Sequence, residues 1–241
     1  MKTHSFTCNL GILISSLALA APGAVAKEKR DAAHNGEYRP TIKPANFTHV
    51  ITNPYFPLVP GTVFTCIEKE GRETREVKTT GTHDTKKIIG VKCVVVRDTV
   101  TLDGVVIEDT YDGYAQDKQG AVWNFGEATN EFKSGGRVIT EGSWEAGVNG
   151  YPGIMMPANP KPGKPYKQEY SPNNAGDMGQ VVAVGETATV PAGTYKDCVK
   201  AKEWSMLESG HGFKWFAKGA GFVRGESSSG EVATLISIAK Q

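Results

Sequence analysis

The sequence predicts an all-β protein: a single strongly curved antiparallel sheet, a half-barrel or open barrel, with one long Pro/Gly-rich loop and little helix. Three observations predict it. From Thr62 onward, short runs rich in Val, Thr, Tyr and Trp alternate with Gly and Asp turns. No window keeps the 3.6-residue spacing of an amphipathic helix for three turns. Two stretches also echo each other: each has a cysteine strand (Val91-Lys92-Cys93-Val94 and Lys196-Asp197-Cys198-Val199) followed by an aromatic strand ending near Val122 or Val223.

In chain order, Lys2, the apolar run 10–20 and Ala24-Val25-Ala26 make a secretory signal over residues 1–26. The apolar run is shorter than the ~20 residues a bilayer span requires, and no later run is uniformly apolar, so no membrane span is expected. Cys8 precedes the apolar core of the signal, which argues against a lipid anchor. The charged, aperiodic stretch 27–46 reads as a disordered leader, and 47–241 as one β domain, secreted or periplasmic. Asn53-Pro54-Tyr55-Phe56-Pro57-Leu58-Val59-Pro60-Gly61 has three prolines that forbid a helix and large apolar residues that need burial, so it should be a rigid extended plug.

Strands follow over 62–68, 74–79, 87–100, 105–116, 121–125 and 137–144. A second group covers 166–170, 180–184, 188–190, 195–204, 213–224 and 231–239. Asp103-Gly104 and Asp117-Lys118-Gln119-Gly120 are turn sequences. Residues 174–178 are the one candidate helical turn. The Pro- and Gly-rich stretch 147–165, around Ile154-Met155-Met156, reads as an apolar loop folded over one opening of the sheet.

Removing 1–26 takes away one basic residue and leaves 26 basic against 26 acidic side chains. A neutral chain without a basic run lacks what phosphate neutralisation demands, so no nucleic-acid partner is expected. Three cysteines remain in an oxidising compartment. Cys93 and Cys198, in similar strand contexts, are paired as a disulfide and Cys66 is left as a buried thiol; closing so long a loop contributes about 4–5 kcal/mol on the loop-entropy account. The histidines have no ligand spacing and the cysteines no C-x-x-C, so neither a metal nor a cofactor is expected. Calcium would draw on Asp109, Asp112 and Asp117, yet D-x-D-x-D-G order is missing. Ser143 lacks the strand-to-helix elbow of a hydrolase nucleophile.

The segments NPYFPLVPGT (53–62), TYDGYAQDKQGAVWNFGE (110–127), GSWEAG (142–147), VPAGTYKDC (190–198) and FAKGAGFV (216–223) resemble a group of secreted bacterial proteins of unknown function. The last two also resemble half-barrel proteins related to periplasmic lipoprotein carriers, which implies a curved antiparallel sheet with a concave apolar face. Neither resemblance brings catalytic residues.

Alternation along the strands turns Glu203, Glu127 and Glu141 inward, Glu127 on the same face as Trp123 and Phe125. A buried carboxylate must find a partner or hold a proton, so these acids need a reason. Trp123, Glu127, Trp144, Glu145, Glu169, Glu203 and Trp215 are therefore the expected ligand-binding set. Two readings stand for them. In one, aromatic walls and paired acids face a concave pocket; in the other, the acids end strands and pair with Arg97, Arg137 or Lys214. The leading function is an exported binding protein holding an apolar or amphipathic small molecule or lipid under the 147–165 loop. The alternatives are a carboxylate-based glycan hydrolase or lyase and an envelope structural or interaction protein.

Overall fold

The computed structural model describes residues 38–172 and 174–241, together with a separate short strand pair, His4–Phe6 with Leu13–Ser15. The signal expected over 1–26 otherwise lies outside the described residues, as does 27–37 of the leader.

Sixteen strands form one antiparallel sheet. They are β1 (Phe47–Thr48), β2 (Thr62–Glu70), β3 (Glu73–Ile88), β4 (Val91–Leu102), β5 (Val105–Asp117), β6 (Val122–Phe132), β7 (Val138–Ile139) and β8 (Trp144–Glu145). Then follow β9 (Tyr151–Met156), β10 (Tyr166–Lys167), β11 (Glu169–Tyr170), β12 (Asp177–Val190), β13 (Gly193–Ser205), β14 (Gly212–Ala217), β15 (Gly221–Ser227) and β16 (Val232–Lys240). The order across the sheet is β10-β12-β13-β14-β15-β16-β2-β3-β4-β5-β6-β9-β11, with β7 and β8 also on β6 and β1 on β5.

One stretch of chain meets both ends of this order. Tyr166 and Lys167 pair with Gly179 and Met178 of β12, and the Gln168 amide donates to the Asp177 carbonyl at 2.8 Å. Two residues later Glu169 and Tyr170 pair with Pro152 and Tyr151 of β9. The sheet is thus nearly closed into a barrel, with its one seam bridged by five residues. Closure removes most of the unpaired edge that an open sheet of this size would expose.

The interior core is made by the inward residues of most strands, among them Cys66, Val77, Val96, Tyr114, Val199, Phe216, Val223 and Leu235. Phe56 and Leu58 of the 53–61 stretch join it, 1% and 3% exposed, with Phe56 edge-on to Tyr114 at 5.5 Å. The plug is tied down through its polar groups. Gln116 Oε1 accepts from the Thr52 and Asn53 amides at 2.8 Å, and the Asn53 amide group donates to the carbonyls of Gly120 (2.9 Å) and Pro157 (3.2 Å). A second, outer cluster of Ile88, Cys93, Ala115, Phe125 and Trp144 is covered by Ile42 and Phe47 of the segment that leads into β1.

Several expected elements change. The strand expected over 87–100 is cut at Ile89–Gly90, both at positive φ (41° and 86°), the same kind of tight reversal that Asp103–Gly104 makes. Nothing in the Ile89 side chain announces it, since β-branched residues avoid this region. Within the loop expected over 147–165, residues 151–156 are β9, which pairs with β6 through Gly153↔Asn124 and sends Met155 and Met156 into the core. The helical turn expected over 174–178 gives way to an isolated bridge, Ser171↔Ala175, and the start of β12. The 137–144 strand is two short pieces around a turn, and Glu141, expected to point inward, is exposed in that turn.

The Cys93–Cys198 disulfide is not formed. Both are free buried thiols. Cys93 lies on β4 in the outer cluster and Cys198 on β13 in the interior core, with five strands between them in the sheet order. Similar local sequence placed them in similar strands but on opposite faces. Cys66 is fully buried and is not the spare thiol expected of it.

Candidate functional site

The concave face expected to hold a ligand is filled by the chain itself. Where the plug meets the wall, among Phe56, Leu58, Phe64 and Phe222, a hollow of about 20 Å³ remains, room for about one water. Beyond the apolar core the rest of the interior is polar. Asp98, Glu108, Asp112, Glu127, Glu131, Glu169, Asp177 and Glu203 are all at most 9% exposed, with Thr79, Thr110, Thr129, Asn124, Gln168 and Lys214 buried among them.

Register explains the layering. Thr79, Asp98, Thr110 and Thr129 are neighbours across β3, β4, β5 and β6, and in the next row Val96, Asp112, Glu127 and Trp144 follow one another. Thr79 donates to Asp98 Oδ1, Thr110 to Glu108 (3.2 Å) and Thr129 to Glu127 Oε1 (2.5 Å). Asp98 Oδ2 and Asp112 Oδ2 meet no protein donor. Burial raises Asp112 and Asp98, acting directly on it, raises it further, so the two buried carboxyls do not ionise together. Burial, unopposed by enough cations, lifts Asp98 to about 7 and Glu108 and Asp177 to about 8, and pushes Asp112, Glu127 and Glu169 well above the usual carboxylate range. Lys214 is the buried base among them; its ammonium is 2.8 Å from Glu203, whose other oxygen accepts from Gln168 at 2.9 Å.

Glu127 reaches this interior through a β-bulge. Between the pairs Tyr114↔Asn124 and Asp112↔Glu127, β5 advances two residues and β6 three. The extra residue reverses the alternation of β6, so Asn124 and Glu127 both face the acids while Trp123 and Phe125 face the outer cluster. The Asn124 carboxamide oxygen accepts from the Gly126 amide at 2.9 Å and fixes the bulge from within. The expected sharing of a face by Trp123, Phe125 and Glu127 is thereby corrected.

On the other side of the bulge, facing outward, is a groove of about 310 Å³. It is lined by Lys86, Ile88, Val95, Tyr111, Gly113, Gly126, Ala128, Ser143, Trp144, Glu145 and Asn149, with Asp112 and Glu127 at its base. β8 makes one wall by pairing Trp144 with Glu127 and Glu145 with Gly126. Only glycine fits at 126, because a Cβ there would stand 2.9 Å from the Trp144 carbonyl oxygen. The 143–149 turn is held by its own polar groups: Asn149 Oδ1 accepts from the Glu145 amide (2.8 Å), and Ser143 Oγ accepts from the Thr129 amide (3.0 Å). The Lys86 ammonium meets Glu145 at 2.5 Å across the mouth.

Of the seven expected ligand-binding residues the structure brings Glu127, Trp144 and Glu145 together here. Glu169 stands directly behind, accepting the Trp144 indole N–H at 2.8 Å. Trp123 is apart, its indole bonded to Asp117 (2.9 Å) and its ring against Phe47. Trp215 lies in the interior cluster between Lys200 and Arg224, and Glu203 is bound up with Lys214. Asp109, Asp112 and Asp117 are likewise separated, Asp109 gripping Arg97 (2.7 Å) and Asp117 capping its own turn. Sequence reasoning missed Asp112, Tyr111, Ser143 and Lys86 as groove residues; the adjacency of the 110–127 and 142–147 segments is the signal that points to the first three, and nothing in the sequence points to Lys86. Among the described residues no three His, Cys, Asp or Glu side chains converge on a metal position, and no helix is long and apolar enough to cross a membrane.

No family model matches the sequence, and no curated protein matches it. Solved structures similar to the chain include a protein from Bacteroides fragilis NCTC 9343 described as exported with a YmcC-like fold. It is 19% identical with TM-score 0.47, covering 77% of this chain and 98% of that one. Another is a protein from Parabacteroides distasonis ATCC 8503 described as a lipoprotein, 15% identical with TM-score 0.43, covering 78% and 99%.

Proposed function

We propose that the chain is an exported binding protein, one β domain following a cleaved leader, that holds a small polar ligand in the outward groove at the β5–β6 bulge. The observation that carries this reading is the groove itself. At about 310 Å³ it falls at the lower end of the size range of small-molecule sites, and aromatic faces and a few convergent polar groups meet in it, as such sites require. The barrel interior, by contrast, is packed with the plug and the chain's own acids. This reading moves the ligand from the concave face to the outer one and makes its chemistry polar rather than apolar. The hydrolase alternative, which draws on Glu127, Glu145 and Glu203, is the weaker reading because Glu203 is committed to Lys214 and Gln168 and Glu145 to Lys86. Export rests on the leader read over 1–26.

The test is native mass spectrometry of the protein purified from its own envelope fraction, beside Ala128→Trp, which fills the groove from an exposed position on β6. A co-purified mass of a few hundred daltons on the wild type, absent from Ala128→Trp, is the expected result. The same mass retained on Ala128→Trp would place the ligand elsewhere, and a bare polypeptide in both would remove the support for a resident ligand.

A further inference from the structure

Resting on that groove as the ligand site, we propose that what it recognises is a small organic cation, an alkylammonium group whose carbon body lies against Trp144. Three observations lead there. The lining carries Asp112, Glu127 and Glu145 against one base, Lys86, which is already paired with Glu145. Behind the lining the imbalance continues: Asp98 and Glu108 act on Asp112, and Glu169 acts on Glu127. Around the bulge the charged groups are Lys86 from β3, Arg97 and Asp98 from β4, Glu108, Asp109 and Asp112 from β5, Glu127 from β6, Glu145 from β8 and Glu169 from β11, with Arg97 paired to Asp109 and Lys214 of β14 acting on Asp98 from across the barrel. Acids dominate.

The wall between groove and acids is thin at this point. Gly113 and Gly126 are the groove residues at the register break and bring no side chain of their own; the Ile88 side chain lies against Gly113 and the Trp144–Glu145 segment against Gly126, while Asp112 and Glu127 line the groove from below. Asp112 Oδ2 has no donor in the protein, and Asp112 is 1% exposed. Buried acceptors without donors mark a place where a positively charged donor is favoured.

The walls suit an organic ion. Trp144 and Tyr111 line the groove, and the Tyr111 ring already accepts a guanidinium, Arg97, at 5.6 Å from its centre. A metal ion is a poorer occupant, since no three ligating side chains converge among the described residues. The ligand's ammonium competes with protons rather than with metals: the acids carry protons when the groove holds no cation, and an arriving charge favours their ionised form and expels a proton to solvent.

The experiment is isothermal titration calorimetry of the purified protein with three four-carbon probes: 1,4-diaminobutane, 1,4-butanediol and succinate. The diamine is expected to bind at least tenfold more tightly than the diol, and succinate not at all. Its affinity should rise with pH between 6 and 8, by about tenfold per unit for one proton released, and titrations in two buffers of different ionisation enthalpy should report that release. Glu145→Gln at the exposed rim, which cannot endanger the core, and Asp112→Asn should each weaken the diamine at least tenfold and leave the diol unchanged. A diol that binds as well as the diamine, no diamine binding, or affinity untouched by both variants would overturn the cation proposal. The groove as a site stands or falls separately, on the retention of native ligand mass by Ala128→Trp.

Discussion

Asp98 and Asp112 are the residues whose chemistry most constrains the molecule. Two buried carboxyls in contact cannot both ionise, and their neighbours add more acid than base. Groups whose folded pKa lies above the unfolded value of roughly 4 stabilise the fold fully below that value and lose their contribution as pH rises through the folded pKa. For Asp98 at about 7 and Glu108 and Asp177 at about 8, the loss runs from about pH 4 to about pH 8 and is complete above that. The melting temperature should therefore decline across that window, and Asp177→Asn should flatten the decline; calorimetry at half-unit steps checks it. A melting temperature that climbs from pH 5 to 8 would contradict the protonated interior. The cysteines give a second prediction. Alkylation of the denatured, unreduced protein followed by peptide mapping should mark both Cys93 and Cys198, whereas a disulfide between them would protect both.

At the scale of elements, what was legible in the sequence was what local chemistry determines. Three prolines in ten residues announce the plug, Asp103-Gly104 announces its hairpin, and alternation alone turned Glu203 inward. The bulge was not legible, because an extra residue in β6 has meaning only against the count of residues in β5, which pairing supplies. One residue of slip reverses a face, so Glu127 was read with Trp123 when it belongs with Asp112. β9 was hidden for a related reason: Pro152 and Gly153 look like loop residues until the partners are known. Gly153 lies so close to the seam that a Cβ there would stand 2.3 Å from the Gln168 carbonyl group. Gly153→Ala should therefore open the seam and cost several kcal/mol, on the order of an overpacked core or more, read as a lowered urea midpoint. Phe56→Ala should cost about 3–5 kcal/mol by emptying the plug's place beside Tyr114.

For the whole molecule, closure and filling go together. A sheet that returns to itself through five residues at 166–170 encloses an interior lined by its own apolar core and its buried acids. The plug takes the apolar part and the acids the rest. Binding is then left to the outer surface, where the bulge, β8 and the 143–149 turn build the groove. The measurement that bears most directly on this is a crystal structure of the protein purified from its own envelope. The expected result is non-protein density between Trp144, Tyr111 and Glu145, with Phe56 and Leu58 still filling the interior. Density for a ligand inside the barrel, with the plug displaced and the groove holding only solvent, would contradict the account.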